Sequence, residues 1–151
     1  MKKILLGLAI ALLSIQCMAA TNVKATVVKD TATGAYTGIN WAWSYTPTPG
    51  IPNCSTTITT NCFSGFKLTI TPPSGSGGSV TISPITLTQG LTSYLWSPGG
   101  NLYVGTWNAS LVANGVGATT TTPLVSSATT TTVVVPLNTL NGPTGLSGTP
   151  Q

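Results

Sequence analysis

Thr37-Gly-Ile-Asn-Trp-Ala-Trp-Ser-Tyr45 carries its four large side chains, Ile39, Trp41, Trp43 and Tyr45, at every second position. That period places all four on one face of a β-strand and leaves Gly38, Asn40, Ala42 and Ser44 on the other. The run Pro47-Thr-Pro49-Gly50-Ile-Pro52 ends the strand, because proline cannot donate to a sheet ladder. The same alternation returns downstream. Phe66, Leu68 and Ile70 share a face opposite Lys67 within Gly65–Thr71, and Trp107, Ala109, Leu111 and Ala113 share one within Leu102–Ala113.

Working outward, further strands are expected at Val23–Lys29, Ser79–Ser83, Ile85–Gln89, Leu91–Trp96 and Thr129–Val135, the last stopped by Pro136. Pro72-Pro-Ser-Gly-Ser-Gly-Gly78 reads as a turn or short loop. Ser97-Pro-Gly-Gly-Asn101 reads as a hairpin joining the strands on either side of it. The Thr-rich stretch Ala118–Ser127 reads as the lead into the last strand. No segment shows a helical period. The fold class expected is all-β, a two-sheet antiparallel sandwich of about seven strands.

Composition then narrows the function. The 151 residues contain one carboxylate, Asp30, and no histidine. General acid–base catalysis relies on a side chain that titrates near working pH, and glycoside hydrolysis needs two carboxyl groups. Nucleophilic Ser-His and Cys-His pairs and clusters of hard metal ligands are equally out of reach. The reading is therefore a protein that is not an enzyme and uses no cofactor. A Ser-Lys hydrolase around Lys67 is the weakest option, because no motif sets a serine beside that mid-strand lysine.

The first twenty residues read as an export signal. Lys2 and Lys3 precede an apolar run from Ile4 to Ile15, and small residues close it at Ala19-Ala20. The run is shorter than the roughly 20 apolar residues a membrane span needs. Cleavage is expected after Ala20, with cleavage after Ala19 as the alternative. Gln16 before Cys17 departs from the small residue that a lipid-anchoring motif wants. The chain thus divides into a signal at 1–20, a sandwich at 21–137 and a flexible tail at 138–151, with no transmembrane segment in the mature chain. The expected location is secreted, periplasmic or cell-surface.

Past the signal, three lysines face one carboxylate, a net charge of +2, and there is no arginine. That cannot make a phosphate-tracking patch, so nucleic acid is not an expected partner. Cys54 and Cys62 remain, and an isolated pair in an exported chain is most simply a disulfide that staples a short loop.

Four segments resemble the fibronectin type III and related immunoglobulin-like domains of bacterial secreted proteins. Ile39-Asn-Trp-Ala-Trp43 looks like the second strand, with Trp43 as its core tryptophan, and Ser64-Gly-Phe-Lys-Leu-Thr-Ile70 looks like the third. Gly105-Thr-Trp-Asn-Ala-Ser-Leu-Val-Ala113 resembles the sixth and Thr131–Pro136 the seventh. The resemblance covers roughly residues 23–136 and implies a surface-acting module. The family's sixth strand usually opens on a corner tyrosine. Here Trp107 stands in that place, leaving the corner bond to Tyr103 in a shifted register if it forms at all. Pro143-Thr-Gly-Leu-Ser147 looks like the opening of another such domain.

Two kinds of partner follow, a protein surface or a glycan. Trp43 and Trp107 read as core, and Trp41 as core or sheet rim. Tyr94, Trp96 and Tyr103, around the 97–101 turn, form the aromatic group best placed to stack on a sugar ring, against the alternative that Trp96 plugs the end of the sandwich. The runs Thr119–Thr122 and Thr129–Thr132 read as exposed strand positions, with O-glycan attachment or an ordered Thr face as alternatives. Asn53-Cys-Ser and Asn108-Ala-Ser match the N-glycan pattern but are expected to be unoccupied.

Overall fold

The computed structural model describes residues 19–75, 82 and 84–137. The expected signal up to residue 18, most of the expected strand Ser79–Ser83 and the expected tail at 138–151 lie outside the described residues. Within them there are eight strands and no helix: β1 (Ala20–Lys29), β2 (Tyr36–Tyr45), β3 (Cys62–Thr71), β4 (Ile85–Thr88), β5 (Ser93–Trp96), β6 (Gly105–Val116), β7 (Pro123–Val125) and β8 (Thr129–Val135). They form a sandwich of two antiparallel sheets. One is ordered β1-β2-β5; the other is β4-β3-β6, with both β7 and β8 paired to the far side of β6.

The alternation seen in the sequence sets the facing. Ile39, Trp41 and Trp43 are buried on the inner face of β2 and Tyr45 is half-buried. Across from them lie Phe66, Leu68 and Ile70 of β3, Trp107, Ala109, Leu111 and Ala113 of β6, and Leu87 of β4. Two aromatic clusters mark the two ends. Trp43 meets Phe66 edge-on at 5.4 Å, and Tyr45, Phe63 and Phe66 pack on one another at 5.1–5.7 Å. At the opposite end Trp96 packs on Trp107 at 5.2 Å. Such contacts contribute about 0.5–1.5 kcal/mol each beyond area burial.

Several boundaries depart from the sequence reading. β1 begins at Ala20 rather than Val23, because a bulge between Thr21 and Lys24, with Asn22 at φ 52°, lets pairing resume on the far side. β3 begins at Cys62 through a shift between Phe63 and Gly65. Gly65, at φ 139°, is needed there because a Cβ would run into the Leu87 carbonyl of β4. β7 emerges inside the stretch expected to be a lead-in. It and β8 are two halves of one arm, broken where Ser126 bonds Ala113 through both its backbone and its hydroxyl.

The largest correction concerns Ser97–Asn101. β5 pairs with β2, Ile39 opposite Trp96, while β6 pairs with β3, β7 and β8. The segment is therefore an arch from one sheet to the other and not a hairpin. Ser97 Oγ donates to the Thr37 carbonyl and Leu102 N–H to the Tyr36 carbonyl, which ties the arch along the start of β2. Trp96 and Trp107 must face each other across the core, and two strands of a hairpin cannot do that.

β1 enters at the Tyr45 end and β8 leaves at the Gly105 end, so the two run in the same direction. They lie side by side at the seam between the sheets, where the Thr129 hydroxyl donates to the Ala20 carbonyl at 2.6 Å.

Candidate functional site

The arch divides the aromatic group that was the candidate for stacking on a sugar ring. Tyr94 and Trp96 sit on the inward face of β5, opposite Trp41 and Ile39. Trp96 retains only 9% exposure against Trp107 and Tyr94 is half-buried. The outward residue of β5 is Leu95, 57% exposed beside Asn40. Only Tyr103, at 41%, presents a substantially exposed ring. The three aromatics thus do not share one exposed surface, and Trp96 plugs the end of the sandwich.

Tyr103 has another part to play through its backbone. The indole N–H of Trp107 donates to the Tyr103 carbonyl, four residues upstream, at 2.9 Å. A corner tyrosine makes this kind of bond through its hydroxyl. Here the donor is the strand tryptophan and the acceptor is the Tyr103 backbone carbonyl, not a tyrosine hydroxyl. The indole N–H groups of Trp41 and Trp43 find no partner among the described residues.

The end of the sandwich opposite the arch is built differently. Cys54 and Cys62 form the expected disulfide, which ties the β2–β3 loop to the start of β3. Cys54 N–H donates to Phe63 O and Phe63 N–H to Pro52 O, so the loop lies along the strand it precedes. At its tip the Ser55 hydroxyl accepts from the Thr57 and Ile58 N–H groups, and Ile58 is exposed. Two other loops meet it. Gln89, between β4 and β5, donates through Nε2 to Cys54 O at 2.8 Å, and Asn61 N–H donates to Gly117 O at the β6–β7 turn. In that turn the Thr119 hydroxyl is within hydrogen-bonding distance of those of Thr121 and Thr122, and all of Thr119–Thr122 are exposed. Three loops are thus braced to one another, carry no charged side chain and expose several hydroxyls together with Ile58.

Elsewhere the side chains are occupied locally. Asp30 Oδ1 accepts from the backbone N–H groups of Ala32 and Thr33 and from the Thr33 hydroxyl, at 2.7–2.9 Å, within the β1–β2 turn. The Thr33 backbone bond, then its hydroxyl bond, holds the carboxyl below its ordinary range. A carboxylate so held is a poor base. Lys67 is exposed on the outer face of β3 between Thr86 and Val112, with no serine opposite it. No group of three metal-ligating side chains occurs among the described residues.

Thr130 and Thr132 face outward, in rows with Ser110 and Asn108 of β6 and Thr69 and Thr71 of β3, whereas Thr129 and Thr131 turn inward and are half-buried. Asn108 lies within this outer face and Asn53 at the base of the disulfide loop, both exposed. No helix among the described residues is long and apolar enough to cross a membrane. Set against protein-family models, curated proteins and solved structures, the chain matches none.

Proposed function

We propose that the chain is an exported, non-catalytic, fibronectin-III-like module that acts as a protein-interaction or spacer domain. The division of the strands supports the immunoglobulin-like part of this reading. The first, second and fifth lie in one sheet, and the third, sixth and last in the other, as an immunoglobulin-like sandwich separates A, B, E from C, F, G. The fourth strand joins β3, where a constant-type domain would place it in the first sheet. The Trp107–Tyr103 bond supplies a corner of the kind such domains carry.

The observation that carries the interaction reading is the loop surface at the disulfide end. Three loops from both sheets are held to one another by backbone and side-chain bonds, and one is closed by a disulfide. Preorganised loops lose less freedom on binding a partner. An uncharged loop surface that exposes Ile58 suits a neutral protein surface better than an anionic polymer. The glycan reading needs a flat aromatic platform, and Tyr103 alone offers an exposed ring.

Photo-crosslinking in cells that make the protein tests this. A photoreactive residue placed at Ile58 or Thr120 should give a discrete protein adduct, and one at Thr132 should not. Adducts with no preference for the loop surface would overturn the interaction reading. Retention on a cell-wall polysaccharide, lost in Tyr103→Ala, would replace it with the glycan reading.

A further inference from the structure

We propose that the leader is cut between Ala19 and Ala20, so that the exported protein begins with Ala20. This rests on the export reading and fixes the position of its processing step. The two alanines are adjacent and chemically identical, and a small residue directly before the cut is available at either bond. Their surroundings differ. Ala19 is exposed, whereas Ala20 is 1% exposed as the first residue of β1.

Ala20 is paired opposite Tyr45, and its carbonyl accepts the Thr129 hydroxyl at 2.6 Å, a side-chain bond that joins β1 to β8 across the seam. The bulge after it, with Asn22 in the left-handed region at φ 52°, restores pairing on the N-terminal side and is useful only if Ala20 is present to pair. A cut after Ala20 would remove the Tyr45 pairing and the Thr129 acceptor. It would leave a bulge that leads into a single paired residue, Thr21.

The residues before the bond agree. A cut after Ala19 puts Cys17 and Ala19, both small, at the third and first positions before it, and a cut after Ala20 puts the long Met18 at the third. The reaction is a hydrolysis by the exporting cell's signal endopeptidase. Water gives its hydroxyl to the Ala19 carbonyl carbon, the C–N bond to Ala20 breaks, and the Ala20 nitrogen takes the proton. Because the Ala20 side chain and carbonyl are enclosed in the folded sandwich, the cut precedes docking of the β1 start.

The test is to produce the full chain in an exporting bacterial host and determine the start of the exported protein by N-terminal sequencing and intact mass. A protein that begins Ala-Thr-Asn supports the proposal. One that begins Thr-Asn-Val, lighter by a single alanine, overturns it while leaving export intact. A product that retains Met1 overturns the export reading itself, and a lipid-modified Cys17 start overturns the proposed bond and assigns a different processing route.

Discussion

Trp41 and Trp107 are both essentially fully buried, yet among the described residues only Trp107 has a partner for its indole N–H. Replacement of each by phenylalanine separates that hydrogen bond from the burial the two share. Either change removes part of a fused ring and leaves a small cavity, at a cost of about 1 kcal/mol. Trp107→Phe also gives up the 2.9 Å bond to the Tyr103 carbonyl, worth about 1 kcal/mol net. Trp41→Phe gives up no bond to the described residues, and it removes a buried donor whose lost hydration costs about 1–3 kcal/mol. Trp107→Phe should therefore destabilise the fold by about 2 kcal/mol, while Trp41→Phe stays within about 1 kcal/mol of the parent. Urea unfolding followed by far-ultraviolet circular dichroism is the suitable assay, since tryptophan fluorescence changes with the substitution itself. The comparison holds when the slopes agree and only the midpoints move. A Trp41→Phe variant as damaged as Trp107→Phe would refute the reasoning.

Trp96→Ala should cost about 3 kcal/mol, since it opens a cavity against Trp107 at the arch end; a near-neutral result in the same unfolding assay would return Trp96 to the surface. Cys54→Ser should cost about 2–3 kcal/mol through the short loop it opens and leave the sandwich folded, with an unchanged far-ultraviolet spectrum. Asp30 is held below its unfolded value of about 3.9, so its contribution is present above that pH and is lost as pH falls through the lower, folded value. With no histidine in the chain, the thermal midpoint should be nearly flat between about pH 5 and pH 9 apart from the α-amino group, and Asp30→Asn should remove the acid-side fall. A transition near pH 6 in a thermal melt series would contradict this.

The facing of the core strands was legible because period-two alternation is a local property. Ile39–Tyr45, Phe66–Ile70 and Trp107–Ala113 each declare an inner face, and each is inward in the structure. The disulfide was legible for a similar reason, two cysteines with no competing partner. What local reading missed was partnership between segments. Pro98-Gly-Gly-Asn101 states that the chain changes direction, but a hairpin within one sheet and an arch between two sheets need the same turn residues. The deciding facts are non-local: Ile39 opposite Trp96 in one sheet, and Phe66 opposite Ala113 in the other. The arch also decides between the two readings of Trp96, since it closes that side chain over the core instead of leaving it at an exposed tip. β7 was hidden because Pro123-Leu-Val125 is short and surrounded by threonine, and its pairing depends on β6 running on to Val116. The loop surface at the disulfide end has no signature in sequence at all. Its parts are brought together only by folding.

The parallel course of β1 and β8 has a mechanical meaning. A pull applied to the two ends of the sandwich would act at Ala20 on one end and Val135 on the other, along the strands and not across them. At about 3.3 Å per residue, the ten residues of β1 span roughly 33 Å of that line. Ladder hydrogen bonds in antiparallel sheets lie perpendicular to the strands. Tension would therefore load the β1–β2 and β6–β8 bonds in shear, all sharing the force, and would not peel them one at a time from an end. A segment held this way resists extension until many bonds fail together.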